Sequence, residues 1–155
     1  MQNAIVSDID GTIFNRATPN TGLVDTLNSY GGSVILLTGR PEAMRTSTES
    51  ILKSAGVKYS SLIMAPKAMP KDKEYVHRFK KIILSKLLSS YNIIAFMDND
   101  KGNIKVAEQL GIKSIRPRAN KLKQIILSNT AKSLWGGAFL ANPDPNESID
   151  DKQPT

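Results

Sequence analysis

The sequence predicts an α/β fold: a parallel sheet of about five strands with helices on both faces. Three observations carry that expectation. Short apolar runs alternate along the chain with segments of helical period. The clearest runs, Val34–Leu37 and Ile93–Met97, are apolar throughout, as strands buried on both faces are. Lys73–Ser89 places Val76, Phe79, Ile83 and Leu87 on one stripe, the mark of an amphipathic helix.

Taken in order, Ala4–Ser7 is short, rich in strand formers, and runs into acids and glycine. Thr18–Tyr30 has Leu23, Val24 and Leu27 at helical spacing and stops at Gly31-Gly32. Ser33–Leu37 is a buried strand bounded by glycines. Arg40–Ala55 reads as a helix, with Pro41 in its first turn and Gly56 at its end. Ser61–Met64 is a weaker strand, and the proline- and lysine-bearing stretch Ala65–Lys73 reads as a loop. After the Lys73–Ser89 helix come a strand at Asn92–Met97, a helix at Asn103–Leu110 ended by Gly111, a strand at Ile112–Ile115, and a last helix at Lys121–Ser128. Residues 1–141 thus predict a single domain. Residues 142–155 lack a core-forming pattern and predict a disordered acidic tail.

Composition narrows the chemistry. Leu, Ile, Val and Phe make up 40 of the 155 residues, enough to build a core. With no cysteine and a single histidine, His77, a disulfide scaffold, a thiolate zinc site, a cysteine nucleophile and a Ser-His-Asp triad are set aside. No apolar run approaches the length that spans a bilayer, and the N-terminus lacks a signal pattern, so the expectation is a cytoplasmic protein with no membrane partner. The net charge is +7, yet the tail contributes −3, leaving +10 on the body. From Gly111 to Lys132 there are six basic residues and no acid, a field that attracts phosphates and other polyanions.

In a parallel sheet, ligands bind beyond the carboxyl ends of the strands. After the first strand comes Asp8-Ile9-Asp10-Gly11-Thr12. On extended chain, side chains two apart share a face. Two carboxylates about 4 Å apart repel by roughly 4 kcal/mol at an effective dielectric of about 20, so such a pair implies a cation or a shared proton. Mg²⁺ suits oxygen ligands of this kind. After the second strand comes Thr38-Gly39-Arg40, where a hydroxyl and the amides of a helix N-terminus would make an anion site. After the fourth comes Asp98-Asn99-Asp100, with Gly102 and Asn103 close behind, and Lys80 sits on the striped helix upstream. Acids for a metal, with hydroxyl, amides and lysine for a phosphate, are the parts phosphoryl transfer needs.

Asp8-x-Asp10-Gly11-Thr12, Thr38, Lys80 and Asp98, in that order, resemble the four motifs of the haloacid dehalogenase (HAD) superfamily. The resemblance runs from Ala4 to about Pro117 and implies a HAD-like, Rossmann-like sheet. It implies that Asp8 is the nucleophile forming an aspartyl-phosphate. Asp10 would be the acid for the leaving group and then the base for water. The Asp8 carboxylate, the Asp10 main-chain carbonyl and Asp98 would hold Mg²⁺, while Thr38, Gly39 and Lys80 would bind the phosphoryl group. An acid at Asp10 favours a phosphatase over the dehalogenases and ion pumps of the superfamily. The pattern departs after Asp98: many members carry a second acid next to it or four to five residues on, whereas this chain has Asn99, Gly102 and Asn103, with Asp100 as the available substitute. Asn99, Asp100, Asn103 and Arg40 are therefore candidates for supporting or substrate contacts.

Only Phe14–Ser33 and Gly39–Phe79 separate the motifs, which leaves minimal room for a cap. An open site implies a large substrate or an oligomer partner that closes it. Combined with the +10 body, this suggests a nucleic-acid phosphate end, and the segment from His77 to Pro117 resembles the phosphatase domains of polynucleotide kinase/3′-phosphatases. Two rivals stand beside that reading: a small-molecule phosphatase for nucleotides or sugar phosphates, and a HAD-like binding or regulatory module.

Overall fold

Strand β1 (Gln2–Ser7) lies at the centre of a five-stranded sheet. A computed structural model describes residues 1–140 of the chain; the predicted acidic tail at 142–155 lies outside the described residues. A small hairpin, β2 (Phe14–Asn15) with β3 (Thr18–Pro19), follows β1. Helix α1 (Thr21–Ser29) leads into β4 (Ser33–Pro41), a 3-10 turn at Glu42–Met44 and α2 (Arg45–Ser54). Then come β5 (Ser61–Ala65), α3 (Lys73–Leu87), β6 (Tyr91–Met97), α4 (Lys101–Gln109), β7 (Ser114–Ile115) and α5 (Ala119–Leu140).

The sheet order is β5-β4-β1-β6-β7, and every pairing is parallel. The chain builds outward from β1 in one direction and then crosses back to build in the other. That reversal opens a crevice at the carboxyl end of β1, between the chain leaving β4 and the chain leaving β6.

Alternation along each strand divides the core in two. Ile5, Val34, Leu36 and Met97 face one side, where Leu23, Val24 and Leu27 of α1, Leu52 of α2 and Leu122 and Ile125 of α5 pack on them. Ala4, Val6, Ile35, Leu37 and Phe96 face the other, against Leu84 of α3 and Ala107 of α4. Both faces are covered, which is why the strands read as continuous apolar runs rather than as alternating ones.

The predicted α/β architecture is the observed one, and several boundaries differ, among them the helix expected from Arg40, which starts at Arg45. The helix expected from Thr18 starts at Thr21, because Thr18–Pro19 pairs with Phe14–Asn15 and Asn20 caps α1 by accepting from the Leu23 amide at 3.2 Å. The strand expected to end at Leu37 runs on to Pro41, held by pairing with Ala65. The last helix is longer than expected, spanning Ala119–Leu140. No cap domain is inserted among the described residues: both intervals between motifs are filled by the hairpin, the crossover helices and β5. No described helix is long and apolar enough to cross a membrane.

Candidate active site

Neighbouring strands β1 and β6 end side by side, and each is followed by an aspartate. Both acids stay tied to the ladder. The Asp8 amide donates to the Met97 carbonyl at 2.9 Å, and the Asp98 amide to the Ile115 carbonyl at 3.2 Å. Helix α3 crosses the second face of the sheet and brings in Lys80. It lies four positions from both Val76 and Leu84, so its stem lies on the apolar stripe. The side chain is 2% exposed, and its ammonium donates to Asp8 Oδ1 at 2.8 Å and Asp98 Oδ2 at 2.9 Å. Its neighbour Lys81 faces solvent.

Each of these acids accepts further bonds. Asp8 Oδ2 accepts from the Thr12 hydroxyl at 3.3 Å. Asp98 Oδ2 accepts from Asn103 Nδ2 at 3.0 Å, and Asp98 Oδ1 accepts from the Asp100 amide at 2.9 Å. Burial pushes the Asp8 carboxyl up to about 6, with the Asp98 charge adding to the rise and Lys80 opposing it. Burial also disfavours the Lys80 ammonium, but the Asp8 and Asp98 carboxylates outweigh it and hold that group above its usual range.

Asp10 stands apart from this cluster. Because β1 ends at Ser7, strand alternation does not govern Asp8 and Asp10. Asp8 turns inward, while the Asp10 side chain is 54% exposed. Arg40 grips it in a fork, with Nε and Nη2 each donating to one carboxylate oxygen at 2.8 Å, and Nη1 reaching Thr48 Oγ1 at 3.2 Å. Gly11 makes the turn possible: its φ is +75°, and a Cβ there would run into the Asn99 side chain.

Thr38 and Gly39 lie in β4 rather than at a helix N-terminus, which corrects the sequence expectation. The helical chain begins only at Glu42, and the Arg40 amide donates to Thr38 Oγ1 at 3.1 Å. Thr38 is buried, and Gly39 passes close to Met69 and Val76 of the adjoining segments.

The residues after Asp98 build a support. Asp100 caps α4, with its Oδ1 accepting from the amides of Gly102 at 2.7 Å and Asn103 at 3.2 Å. His77 Nε2 lies 3.0 Å from the same oxygen. A Cβ at Gly102 would run into the His77 ring, which would have to shift to admit it. The Asn99 carbonyl accepts from Arg116 Nη1 at 3.3 Å. Asn103 is buried, and its Oδ1 has no hydrogen-bond partner among the described residues.

Burial would raise Asp100, but the two α4 amides and His77 outweigh it and hold its carboxyl below the usual range. Asp100→Ala is expected to cost about 1 kcal/mol, the value of a helix cap. That corresponds to a fall in Tm of about 2–4 °C for a domain of this size. A depressed native pKa stabilises above the unfolded value of about 3.9 and is lost as pH falls through the native value. Thermal melts of wild type and variant should therefore converge only in strong acid; a gap that persists there would show that the carboxylate is not its source.

Sequence reasoning passes over two residues here. Thr12 is legible as the fourth residue after Asp8 in the first motif. His77 lies on the α3 face that meets α4, a pairing between helices that spacing alone does not reveal.

Among the described residues, no three His, Cys, Asp or Glu side chains gather as a metal cluster. The donor set nonetheless fits Mg²⁺, which binds through one or two carboxylates plus waters and substrate phosphate. Asp8 and Asp98 would supply the carboxylates, and the orphaned Asn103 Oδ1 beside Asp98 is a buried acceptor suited to a hydrated ion.

Residues 15–132 match the family model described as HAD superfamily, subfamily IIIB (acid phosphatase). The matched stretch contains Thr38, Lys80 and Asp98 and begins after Asp8 and Asp10. No curated protein matches the chain. Among the solved structures that resemble it are two of one complex. One is described as the structure of the Pnkp1/Rnl/Hen1 complex, with 22% identity, a TM-score of 0.60, and coverage of 75% of this chain and 47% of that one. The other is described as the structure of the Pnkp1/Rnl/Hen1 RNA repair complex, with 22% identity, a TM-score of 0.61, and coverage of 75% and 42%. The chain spans less than half the length of either, and at this identity the likeness shows the fold.

Proposed function

Since this chain belongs to the HAD superfamily, subfamily IIIB (acid phosphatase), we propose that it hydrolyses phosphomonoesters through an aspartyl-phosphate on Asp8, with Mg²⁺ as cofactor and phosphorylated nucleic-acid ends as substrate. One observation carries the reading: a buried lysine joins two buried aspartates at the carboxyl ends of adjacent parallel strands. A shared cation between two like charges assembles a nucleophile, an anion-binding ammonium and a metal-binding face in one place.

Bound Mg²⁺ would neutralise charge on the phosphoryl oxygens. The chain's own residues divide the rest. An Asp8 oxygen attacks phosphorus in line as the bond to the leaving oxygen breaks. Lys80 supplies positive charge to the equatorial oxygens, and Thr38 and Gly39 line the adjoining strand end. Asp10, protonated, gives its proton to the leaving oxygen. Asp10, now a carboxylate, takes a proton from water; the water oxygen attacks phosphorus, the bond to Asp8 breaks, and inorganic phosphate departs. Arg40 holds the Asp10 carboxylate by two bonds, and Asp10 gives these up to reach the leaving oxygen.

The absence of a cap among the described residues and the basic body support a large polyanionic substrate. The test is hydrolysis of a 3′- or 5′-phosphorylated oligonucleotide against the free nucleotide at two salt concentrations, with Mg²⁺ or with EDTA. Expected are metal-dependent release of phosphate and a salt-sensitive preference for the oligonucleotide. Preference for the free nucleotide would move the substrate to small molecules. No release with any phosphomonoester and any divalent ion would overturn the catalytic reading.

A further inference from the structure

Beside the catalytic edge, the surface is hollowed twice. A hollow of about 660 Å³ lies against Asp100 and is bordered by Lys73, His77, Asn99, Lys101 and Arg116. A second, of about 340 Å³, lies between α4 and the start of α5 and is bordered by Lys101, Lys105, Arg116, Arg118 and Lys121. Lys101 and Arg116 border both, so the two form one continuous track. Arg116 also ties the track to the site, through its bond to the Asn99 carbonyl next to Asp98.

The charge along this track is mainly positive. The residues bordering it include six Lys or Arg against two acids, Asp100 and Glu108. Lys101, Lys105, Arg116 and Arg118 are exposed. A solvated basic face would scatter such charges around the helices. Here they converge from α4, the β7–α5 turn and α5 on one hollow. Lys101 and Lys105 stand one turn apart on α4, about 6 Å along its axis. That spacing suits successive phosphates of an extended strand.

We propose that this track binds the phosphodiester backbone of a single nucleic-acid strand whose terminal phosphate lies at Asp8. The inference rests on the phosphatase reading above and assigns the flanking contacts that reading leaves open. Backbone contacts of this kind hold the strand without selecting its sequence.

The test separates binding from turnover. Lys105→Ala/Arg118→Ala and the charge reversal Lys105→Glu/Arg118→Glu leave Arg116 and its tie to Asn99 intact. Binding of a fluorescent single strand without a terminal phosphate is followed by anisotropy across a salt series. Hydrolysis of p-nitrophenyl phosphate is followed separately. Removing two phosphate contacts is expected to weaken strand binding about tenfold and flatten the log–log salt slope by about 1.4, at about 0.7 per contact on a single strand. The reversal should weaken it further, while turnover of p-nitrophenyl phosphate stays within about twofold of wild type, because that ester does not reach the track. Wild-type affinity and slope in both variants would overturn the proposal. So would inorganic polyphosphate of matched phosphate number binding as tightly as the strand. Lost strand binding in variants of a protein that hydrolyses no ester would leave the track standing and remove the catalytic reading.

Discussion

Asp8→Asn is expected to abolish phosphatase turnover, by at least about a thousandfold in kcat, while the fold survives. The amide has no lone pair competent to attack phosphorus, so no acyl phosphate forms. Lys80 keeps its bond to Asp98, at 2.9 Å in the parent, so the buried ammonium is not stranded. Stability should hold or rise. A carboxyl raised from 3.8 to about 6 in the native state binds protons that the unfolded chain does not, so stability falls as pH rises through that interval. Asn removes this loss. In metal-free buffer at neutral pH, the variant's Tm should equal or exceed that of wild type. Turnover close to wild type, measured with p-nitrophenyl phosphate, would refute Asp8 as the nucleophile.

Lys80→Met should damage both activity and fold. Met fits the apolar stripe of α3 but leaves Asp8 and Asp98 buried side by side with no cation. Breaking a buried pair by removing one partner costs about 3–5 kcal/mol. For a domain of this size that is a fall in Tm of about 10 °C. Two rescues follow from the geometry. Mg²⁺ should restore part of the loss by supplying the missing positive charge, and adding Asp8→Asn should restore more by removing one of the repelling charges. Activity should return with neither. A Tm within about 2 °C of wild type in EDTA, which corresponds to less than about 1 kcal/mol, would show that the lysine is not the element compensating these acids.

Much of this arrangement is legible in the amino-acid sequence alone. The central strands are readable because burial on both faces makes them apolar throughout, as at Val34–Leu37. The Phe79-Lys80 context points by resemblance to Lys80 over Lys81, and the structure adds that Lys80 shares the buried helical face of Leu84. The departures have physical causes as well. The hairpin at Phe14–Pro19 has strands of two residues, too short for any period to register. Pro41 is a familiar first-turn residue, yet here pairing with Ala65 keeps it extended, and the Thr38-Gly39-Arg40 segment is strand where a helix start is expected. The separate settings of Asp8 and Asp10 stay hidden because β1 stops at Ser7, before either acid, so alternation does not apply. The fork from Arg40 to Asp10 joins residues thirty positions apart, and only tertiary structure brings them together.

The amides of Asp8 and Asp98 are both locked into the sheet, the first to the Met97 carbonyl and the second to Ile115. Their mutual repulsion is thus overcome once, when the chain folds, and not again in each round of catalysis. Backbone exchange at these two positions should require opening of the whole sheet, and the surrounding loops are free to diverge in sequence without moving these two charges.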